Sequence, residues 1–188
     1  MADDVRVFLS IDIEKDDLLS QIQSLQSQLD CQSAKMKLVG RENIHFTWRF
    51  FGDTPIKKVD AIHSELNHLK IPPFEIMIGG IGAFPSIQRP RVIWIGVKQN
   101  IEMMRDLKAQ TDSLLAKLGY KIEKKKFIPH ATIARVRAVN NHDGIVENLH
   151  SLSDEIVGMM TVKGIRMTKS TLTPSGPIYE TLWEVPEQ

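Results

Sequence analysis

The chain has 188 residues, 42% of them apolar and 25% charged, and its 24 basic and 23 acidic side chains leave a formal charge of +1. This composition is typical of a globular protein with enough apolar material for one domain or two small lobes, and the balanced charge excludes the basic field of a protein that covers a long nucleic acid. The single cysteine, Cys31, excludes an internal disulfide and a cysteine-cluster metal site, and it favours a reducing compartment.

The first part of the chain predicts strands alternating with helices. Residues 5–13 form a β-branched apolar run typical of a strand. Asp16 and Asp17 then place carboxylates where a helix N-terminus favours them, and apolar residues follow at helical spacing. A short strand is predicted at 35–39. The next strand begins at His45 and is expected to end in a turn at 52–55, before a helix over 56–69.

The remaining elements follow the same logic. Strands are predicted at 74–78 and 91–97, separated by a glycine-rich loop at 79–85. Asn100 is predicted to cap the next helix with its side chain, and Gly119 to end that helix. A strand carrying His130 comes next. A loop at 142–144, a helix extending to Ile156 and strands at 161–168 and 178–185 complete the pattern.

One short motif occurs twice. His45-Phe46-Thr47-Trp48 and His130-Ala131-Thr132-Ile133 both read His-x-Thr followed by an apolar residue. Because side chains alternate along a strand, each motif presents an imidazole and a hydroxyl on one face and apolar groups on the other. An imidazole and a hydroxyl two residues apart are groups that a strand would present to a phosphate.

The two motifs occupy equivalent places in an internal repeat. His45 and His130 are 85 residues apart, Gly80 and Gly164 are 84 apart, and Trp94 and Trp183, both predicted to lie in the core, are 89 apart. We therefore predict an α+β fold of duplicated β-α-β-α-β-β lobes related by a pseudo-two-fold, a bilobal structure with a central cleft that carries both His-x-Thr strands. It would be a single domain over residues 1–188, with repeats of roughly 1–97 and 91–188.

Two opposed histidines suit an in-line displacement at phosphorus. The nucleophile must lose a proton and the leaving oxygen must gain one, and histidine does either at neutral pH. The hydroxyls of Thr47 and Thr132 would hold the non-bridging oxygens. This chemistry requires no metal or cofactor, and no His-Glu-x-x-His pattern is present.

Longer segments resemble a known family. The two motifs, with Phe8-Leu9-Ser10-Ile11-Asp12, the glycine-rich residues 79–85 and Pro90-Arg91-Val92-Ile93-Trp94, closely resemble the RNA 2′,3′-cyclic phosphodiesterases, long called 2′-5′ RNA ligases, of the two-histidine phosphoesterase superfamily. The resemblance implies hydrolysis of an RNA 2′,3′-cyclic phosphate end to a 2′-phosphate. It also implies a reversible joining of tRNA halves through a 2′,5′ linkage.

The resemblance also implies roles for single residues. His45 would be the proton donor to the leaving oxygen and His130 the proton acceptor that activates water, roles that the pattern alone leaves interchangeable. Arg135 would contact the phosphate. In a regular strand, however, its side chain would lie on the other face of the sheet from His130, so this role requires a bend in the strand. By the same parity Arg49 would share a face with His45 as a second cation. Ser170 resembles a family position near the site, and an ordinary strand-end serine is the alternative.

Two other functions fit the same pattern. One is a phosphodiesterase for a small cyclic nucleotide, and the other is a protein that binds or joins RNA ends. The near-neutral charge favours recognition of RNA 3′ ends bearing a 2′,3′-cyclic phosphate over a large RNA surface. No apolar run approaches the roughly 18 residues of a membrane helix, and the first residues do not read as a signal peptide. We therefore expect a cytoplasmic protein without a membrane partner. We also expect it to be a monomer.

Overall fold

The structure is a computed structural model, and it describes residues 4–174 and 176–187. Nine strands and four helices lie within these residues. In chain order they are β1 (Asp4–Asp12), α1 (Asp16–Ser27), β2 (Ala34–Leu38), β3 (His45–Pro55), α2 (Ile56–Leu66), β4 (Phe74–Ser86), β5 (Arg89–Gln99), α3 (Ile101–Lys117), β6 (Ala131–Val139), α4 (His142–Ser151), β7 (Ile156–Val162), β8 (Gly164–Thr173) and β9 (Gly176–Pro186).

The strands form one antiparallel sheet whose order is symmetric about its centre. The order is β7-β4-β5-β6-β3-β1-β8-β9, with β2 also paired to β6. β6 and β3, the two motif strands, meet in the middle, and β5 and β1 flank them. The predicted α+β class and its duplication about a pseudo-two-fold are confirmed. Each half of the sheet takes strands from both halves of the chain, because β8 pairs with β1 and β7 pairs with β4. The repeat limits of 1–97 and 91–188 stay a prediction.

The central strands meet only briefly, and this opens a cleft. β3 pairs with β6 at a single position, Phe46 with Ala131. Beyond that point β6 pairs with β2, from Ala134 to Val139. β3 continues instead along β1 as far as Pro55. The strand ends that carry the motifs are therefore held together while the rest of the two strands diverge.

Helices cover the side of the sheet opposite the motif hydroxyls. The apolar faces predicted for α1 and α2 are buried, including Leu18, Ile22 and Ile62. α3 packs behind β3, where Trp48 Nε1 donates a hydrogen bond of 3.1 Å to Thr111 Oγ1. The burial of these faces supplies most of the favourable free energy of folding.

Two predicted turns are wrong, because their residues lie within strands and each includes a glycine at a β-bulge. Residues 79–85 are not a loop, since β4 runs without interruption to Ser86. Gly80 has φ +78° and lies at a register shift in the pairing with β5. It is the extra residue of a β-bulge, and the strand continues on both sides of it. Residues 52–55 likewise continue β3, with Gly52 at φ +76° beside another register shift. Local composition does not separate a bulge glycine from a turn glycine.

Several element ends also differ from the prediction. Residues 142–144 form the first turn of α4, where the Asn141 side chain accepts from the Gly144 N–H at 3.1 Å. Ile156 begins β7 instead of ending the helix, and the predicted strand at 161–168 is divided between β7 and β8. Asn100 precedes α3 without capping it, because its side chain donates to Glu75 O at 2.6 Å.

The predicted end of α3 is confirmed. Gly119 follows the helix at φ +85°, and its N–H donates to Ala116 O at 3.0 Å. The N–H of Tyr120 reaches back to Leu115 O at 3.2 Å. This pair of bonds is a Schellman motif, which satisfies the last carbonyls of the helix and requires a residue in the left-handed region.

Candidate active site

Strand register brings the two motifs together. Phe46 and Ala131 are paired and fully buried, so their neighbours in each strand face the opposite side of the sheet. In an antiparallel pair the flanking residues also lie opposite each other. His45 therefore lies opposite Thr132, and Thr47 lies opposite His130. The four side chains predicted from the motifs share one face at the centre of the sheet.

Backbone carbonyls orient both imidazoles in the same way. His45 Nδ1 lies 2.9 Å from Asn43 O, and His130 Nδ1 lies 2.7 Å from Ile128 O. A carbonyl oxygen only accepts, so each Nδ1 carries the hydrogen and each neutral ring presents an unprotonated Nε2. His45 Nε2 is 3.1 Å from Thr47 Oγ1, which donates to it in this tautomer. Both rings thus have the form in which Nε2 accepts a proton.

Aromatic side chains pack against each imidazole. Phe8 stacks on His45 with ring centroids 4.9 Å apart, and Tyr179 meets His45 edge-on at 5.3 Å. Phe84 meets His130 edge-on at 4.8 Å, and Trp94 lies 5.9 Å from it. The predicted core position of Trp94 is therefore wrong, because this half-buried ring contacts a site histidine.

Burial lowers the pKa of both histidines. For His45, desolvation is the main cause, and the positive charge of Arg135 acts in the same direction. The hydrogen bond with Asn43 O and the negative charge of Asp12 oppose it. Desolvation also lowers the pKa of His130, against the hydrogen bond with Ile128 O. In the unliganded protein both rings are therefore neutral at pH 7, ready to accept a proton.

A cavity of about 610 Å³ opens on the motif face. Besides His45, Thr47 and Thr132, it is lined by Arg6, Phe8, Lys37, Leu38, Val39, Gly40, Glu42, Asn43, Phe50, Arg135, Ser170, Leu172, Gly176, Pro177 and Tyr179. Ser170 thus lies at the cavity, as its family resemblance implied. His130 is outside this lining, so the two threonines mark the end of the cavity nearest to His130.

A bulge in β6 explains how Arg135 reaches the cavity. In the pairing with β5, Trp94 is opposite Thr132 and Ile93 is opposite Ala134, so Ile133 is an extra residue. Ile133 and Ala134 are both fully buried, and the strand returns Arg135 to the Thr132 side. The bend on which the predicted role of Arg135 depended is therefore present.

An equivalent bulge in β3 makes the prediction for Arg49 wrong. Leu9 of β1 pairs with Arg49 and Ser10 pairs with Thr47, so Trp48 is the extra residue. Trp48 and Arg49 both point away from the cavity and are buried. Arg49 Nη1 lies 2.7 Å from Asp112 Oδ1. Phe50 takes its place on the site face and is 52% exposed.

Arg6, Phe50 and Tyr179 are cavity residues that the sequence did not reveal. Strict alternation from Phe46 would put Phe50 behind the sheet, and the bulge that turns it to the site face has no local signature in the sequence. Arg6 lies on β1 and Tyr179 on β9. β9 reaches the site because its neighbour β8 pairs with β1, which is distant in sequence. Desolvation raises the pKa of the Tyr179 phenol, which therefore stays protonated at neutral pH.

Across residues 4–174 and 176–187, no three His, Cys, Asp or Glu side chains converge on a point where they would hold a metal ion. No helix in this part of the chain has the length and apolar character needed to cross a membrane.

The sheet order and the paired motif strands define a duplicated phosphoesterase of the two-histidine class. The chain belongs to the LigT-like phosphoesterase family, whose model matches residues 11–94 and again 95–179. It is 37% identical over 177 residues to the RNA 2′,3′-cyclic phosphodiesterase of Methanothermobacter thermautotrophicus, covering 93% of this chain and 95% of that protein. It is 34% identical over 168 residues to the enzyme of the same name from Aeropyrum pernix, covering 89% and 96%.

Solved structures agree on the fold. Escherichia coli LigT, crystallised with 3′-AMP, superposes with a TM-score of 0.77 at 20% identity, covering 98% of this chain and 99% of that one. The Thermus thermophilus protein TT0787 superposes with a TM-score of 0.73 at 23% identity, covering 96% and 97%. The double family match and these superpositions agree with the duplicated arrangement of the sheet.

Proposed function

We propose that this chain hydrolyses the 2′,3′-cyclic phosphate at RNA 3′ ends to a 2′-phosphate. The observation that carries the proposal is the register at Phe46 and Ala131, which sets one imidazole of each motif opposite a threonine of the other. Relatives 34–37% identical over most of the chain carry the name RNA 2′,3′-cyclic phosphodiesterase, which supports the same substrate.

In the proposed reaction, His130 is the proton acceptor. Its Nδ1–H donates to Ile128 O, and burial lowers its pKa, so Nε2 is free to take a proton from the attacking water. The water oxygen forms a bond to phosphorus while the bond to O3′ breaks, which leaves the phosphate on O2′. A base with a pKa near the working pH contributes about 10²–10⁴ in rate.

His45 is the proposed proton donor to O3′. For this role its Nε2 must carry a proton, although the pKa of the free imidazole is lowered. A bound cyclic phosphate brings a negative charge that raises this pKa, and Asp12 acts in the same direction. Protonated Nε2 would then donate where it now accepts from Thr47. The choice of donor and acceptor follows the family resemblance, since the two imidazoles are oriented alike.

Thr47, Thr132 and Arg135 are the proposed phosphate ligands. All three line the cavity, and the two hydroxyls lie opposite the histidines of the other motif. Negative charge grows on the non-bridging oxygens as water attacks, and donors already aimed at those oxygens stabilise it. Arg135 adds a positive charge that is always present.

The same site would also allow a joining reaction. If a ribose 5′-hydroxyl replaces water as the nucleophile, O3′ leaves as before and a 2′,5′ linkage forms. We therefore include reversible 2′-5′ joining of RNA halves in the proposal. Action as a monomer, in the cytoplasm, and without metal or cofactor stays a prediction. So does the substrate alternative of a small cyclic nucleotide.

The test uses a short RNA with a 2′,3′-cyclic phosphate end and a chelator. We expect a 2′-phosphate product, and a loss of about 10²-fold or more in His45→Ala and His130→Ala. His150→Ala is the matched control, because His150 is exposed on α4 away from the cavity. A 3′-phosphate product would contradict the proposed direction of ring opening. Activity that disappears with the chelator would contradict the metal-independent mechanism.

A further inference from the structure

Phe50 is an exposed aromatic ring inside a strand. It lies between two extra residues of β3, Trp48 and Phe51, which are skipped in the pairing with β1. These bulges turn Phe50 onto the site face, where it lines the cavity at 52% exposure. An exposed ring that lines a cavity is a surface for a planar apolar ligand.

A guanidinium group lies against this ring. Arg6 Cζ is 4.7 Å from the Phe50 ring centroid, a cation–π contact. Arg6 also lines the cavity, two residues before Phe8 on β1. Among the described residues, neither Arg6 nor Arg135 has a carboxylate within ion-pair distance, whereas Arg166 pairs with three. Among the described residues, Arg6 and Arg135 therefore face the cavity without an ion-pair partner.

Strand register gives the separation of this pair from the phosphate ligands. Phe50 pairs with Phe8 and Thr47 pairs with Ser10, so the two site-face residues lie two steps of β1 apart. Two strand residues span ~7 Å. That distance suits the neighbouring nucleotide of a chain whose terminal phosphate lies between Thr47 and Thr132.

We propose that Arg6 and Phe50 bind the nucleotide immediately 5′ of the one that carries the cyclic phosphate. The base stacks on Phe50, and Arg6 pairs with the phosphodiester that joins the two nucleotides. This inference rests on the proposed function. Stacking on an aromatic ring tolerates every base, so the pair confers a preference for length and not for sequence. The substrate class becomes oligonucleotide ends, in preference to free mononucleoside cyclic phosphates.

The test compares kcat/KM for adenosine 2′,3′-cyclic phosphate and for the dinucleotide ApA with the same end. We expect the wild-type protein to prefer the dinucleotide. In Phe50→Ala the dinucleotide value should fall about tenfold, in line with the loss of one stacked base, while the mononucleoside value stays unchanged. Phe50→Trp should keep the preference and Phe50→Leu should lose it. Ile122→Ala is the control, because Ile122 is 58% exposed and outside the cavity.

The second variant tests the charge. Arg6→Gln should lower kcat/KM for the dinucleotide and weaken its dependence on salt, because one phosphate contact is lost. Lys57→Gln, an exposed change on α2, is its control. Equal losses for both substrates in Phe50→Ala would overturn the proposal, and so would an unchanged dinucleotide value.

A binding measurement separates this proposal from the hydrolysis proposal. If the wild-type protein hydrolyses neither substrate, the proposed hydrolysis is wrong, but the proposed nucleotide binding by Arg6 and Phe50 can still be tested. A fluorescent trinucleotide ending in a 2′-phosphate is then titrated onto the wild-type protein and Phe50→Ala. Weaker binding by the variant would support the nucleotide platform without any turnover. Equal dissociation constants would overturn it.

Discussion

Arg49 and Asp112 form an ion pair directly behind the strand that carries His45, with Nη1 2.7 Å from Oδ1. Their side chains are 9% and 7% exposed. Lys108 Nζ lies 2.6 Å from the second oxygen of Asp112 and 2.8 Å from Glu123. Arg49 also donates to Lys121 O at 2.7 Å. The network therefore ties β3 and α3 to the segment that leads to His130.

The first prediction concerns the centre of this network. Asp112→Ala leaves the charges of Arg49 and Lys108 buried without their common partner. We expect the free energy of unfolding to fall by about 3–5 kcal/mol, since an unpaired buried charge is far more costly than a lost surface contact. Urea unfolding followed by circular dichroism measures the change.

The control for this change is a surface pair. Lys98 and Asp154 lie 2.9 Å apart, and Asp154 is 93% exposed. Exposed pairs contribute little, so Asp154→Ala should leave the unfolding midpoint unchanged. If the two variants behaved alike, the buried network would have no special part in stability.

The second prediction concerns the pH dependence of the reaction. A base must be neutral, so kcat/KM falls as the pH drops below its pKa, and an acid must be protonated, so kcat/KM falls as the pH rises above its pKa. Burial lowers the pKa of both His45 and His130 from the ordinary value of 6.5. We expect a bell-shaped profile with its maximum on the acid side of that value. A maximum at clearly alkaline pH would show that the burial of the two rings does not control their titration.

A third prediction isolates one electrostatic cause. The positive charge of Arg135 lowers the pKa of His45, so its removal should raise that pKa. In Arg135→Gln, NMR titration of the unliganded protein should show His45 protonating at higher pH than in the wild type. Lys57→Gln removes a distant positive charge and should leave the titration unchanged. A downward shift in Arg135→Gln would contradict the placement of Arg135 near His45.

The fourth prediction concerns the two hydroxyls. Valine keeps the shape of threonine and removes the donor, so Thr132→Val should lower kcat by about 10²-fold with little change in KM. Thr47→Val should lower kcat in the same way. It should also alter the pH profile, because Thr47 Oγ1 is hydrogen-bonded to His45 Nε2. Thr161→Val on β7 is the control. A rise in KM with unchanged kcat would mean that the hydroxyls stabilise the bound substrate and the transition state equally.

The fifth prediction concerns the approach of β4 to Trp94. A Cβ atom at Gly82 would lie 2.3 Å from the Trp94 ring, which no side chain tolerates. Gly82→Ala should therefore displace Trp94 from His130, lower stability by about 1–3 kcal/mol and reduce kcat. In a Trp94→Leu background the stability loss should largely disappear.

Gly40→Ala is the matched control for this change. Its added Cβ would meet only the end of the exposed, flexible Glu42 side chain, at 2.4 Å. That side chain can move aside, so we expect no loss of stability. An equal loss in both glycine variants would point to the backbone and not to Trp94.

The sequence was most informative where the physics is local. Apolar periodicity placed all four helices, and Gly119 ended α3 as predicted. Alternation within each motif was also correct over three residues, because no bulge interrupts His45 to Thr47 or His130 to Thr132. The repeat of these motifs was sufficient to predict a duplicated α+β fold with the two histidine strands together.

Only the tertiary structure decided what lies beyond those three residues. Extra residues at Trp48 and Ile133 reverse the alternation, which buries Arg49 and brings Phe50 and Arg135 to the cavity. A bulge is set by how a strand fits its partner, and the partner strands here are distant in sequence. The sequence by itself thus determined the helices, the repeat and the two His-x-Thr pairs. Pairing between distant strands determined which charged and aromatic side chains surround them.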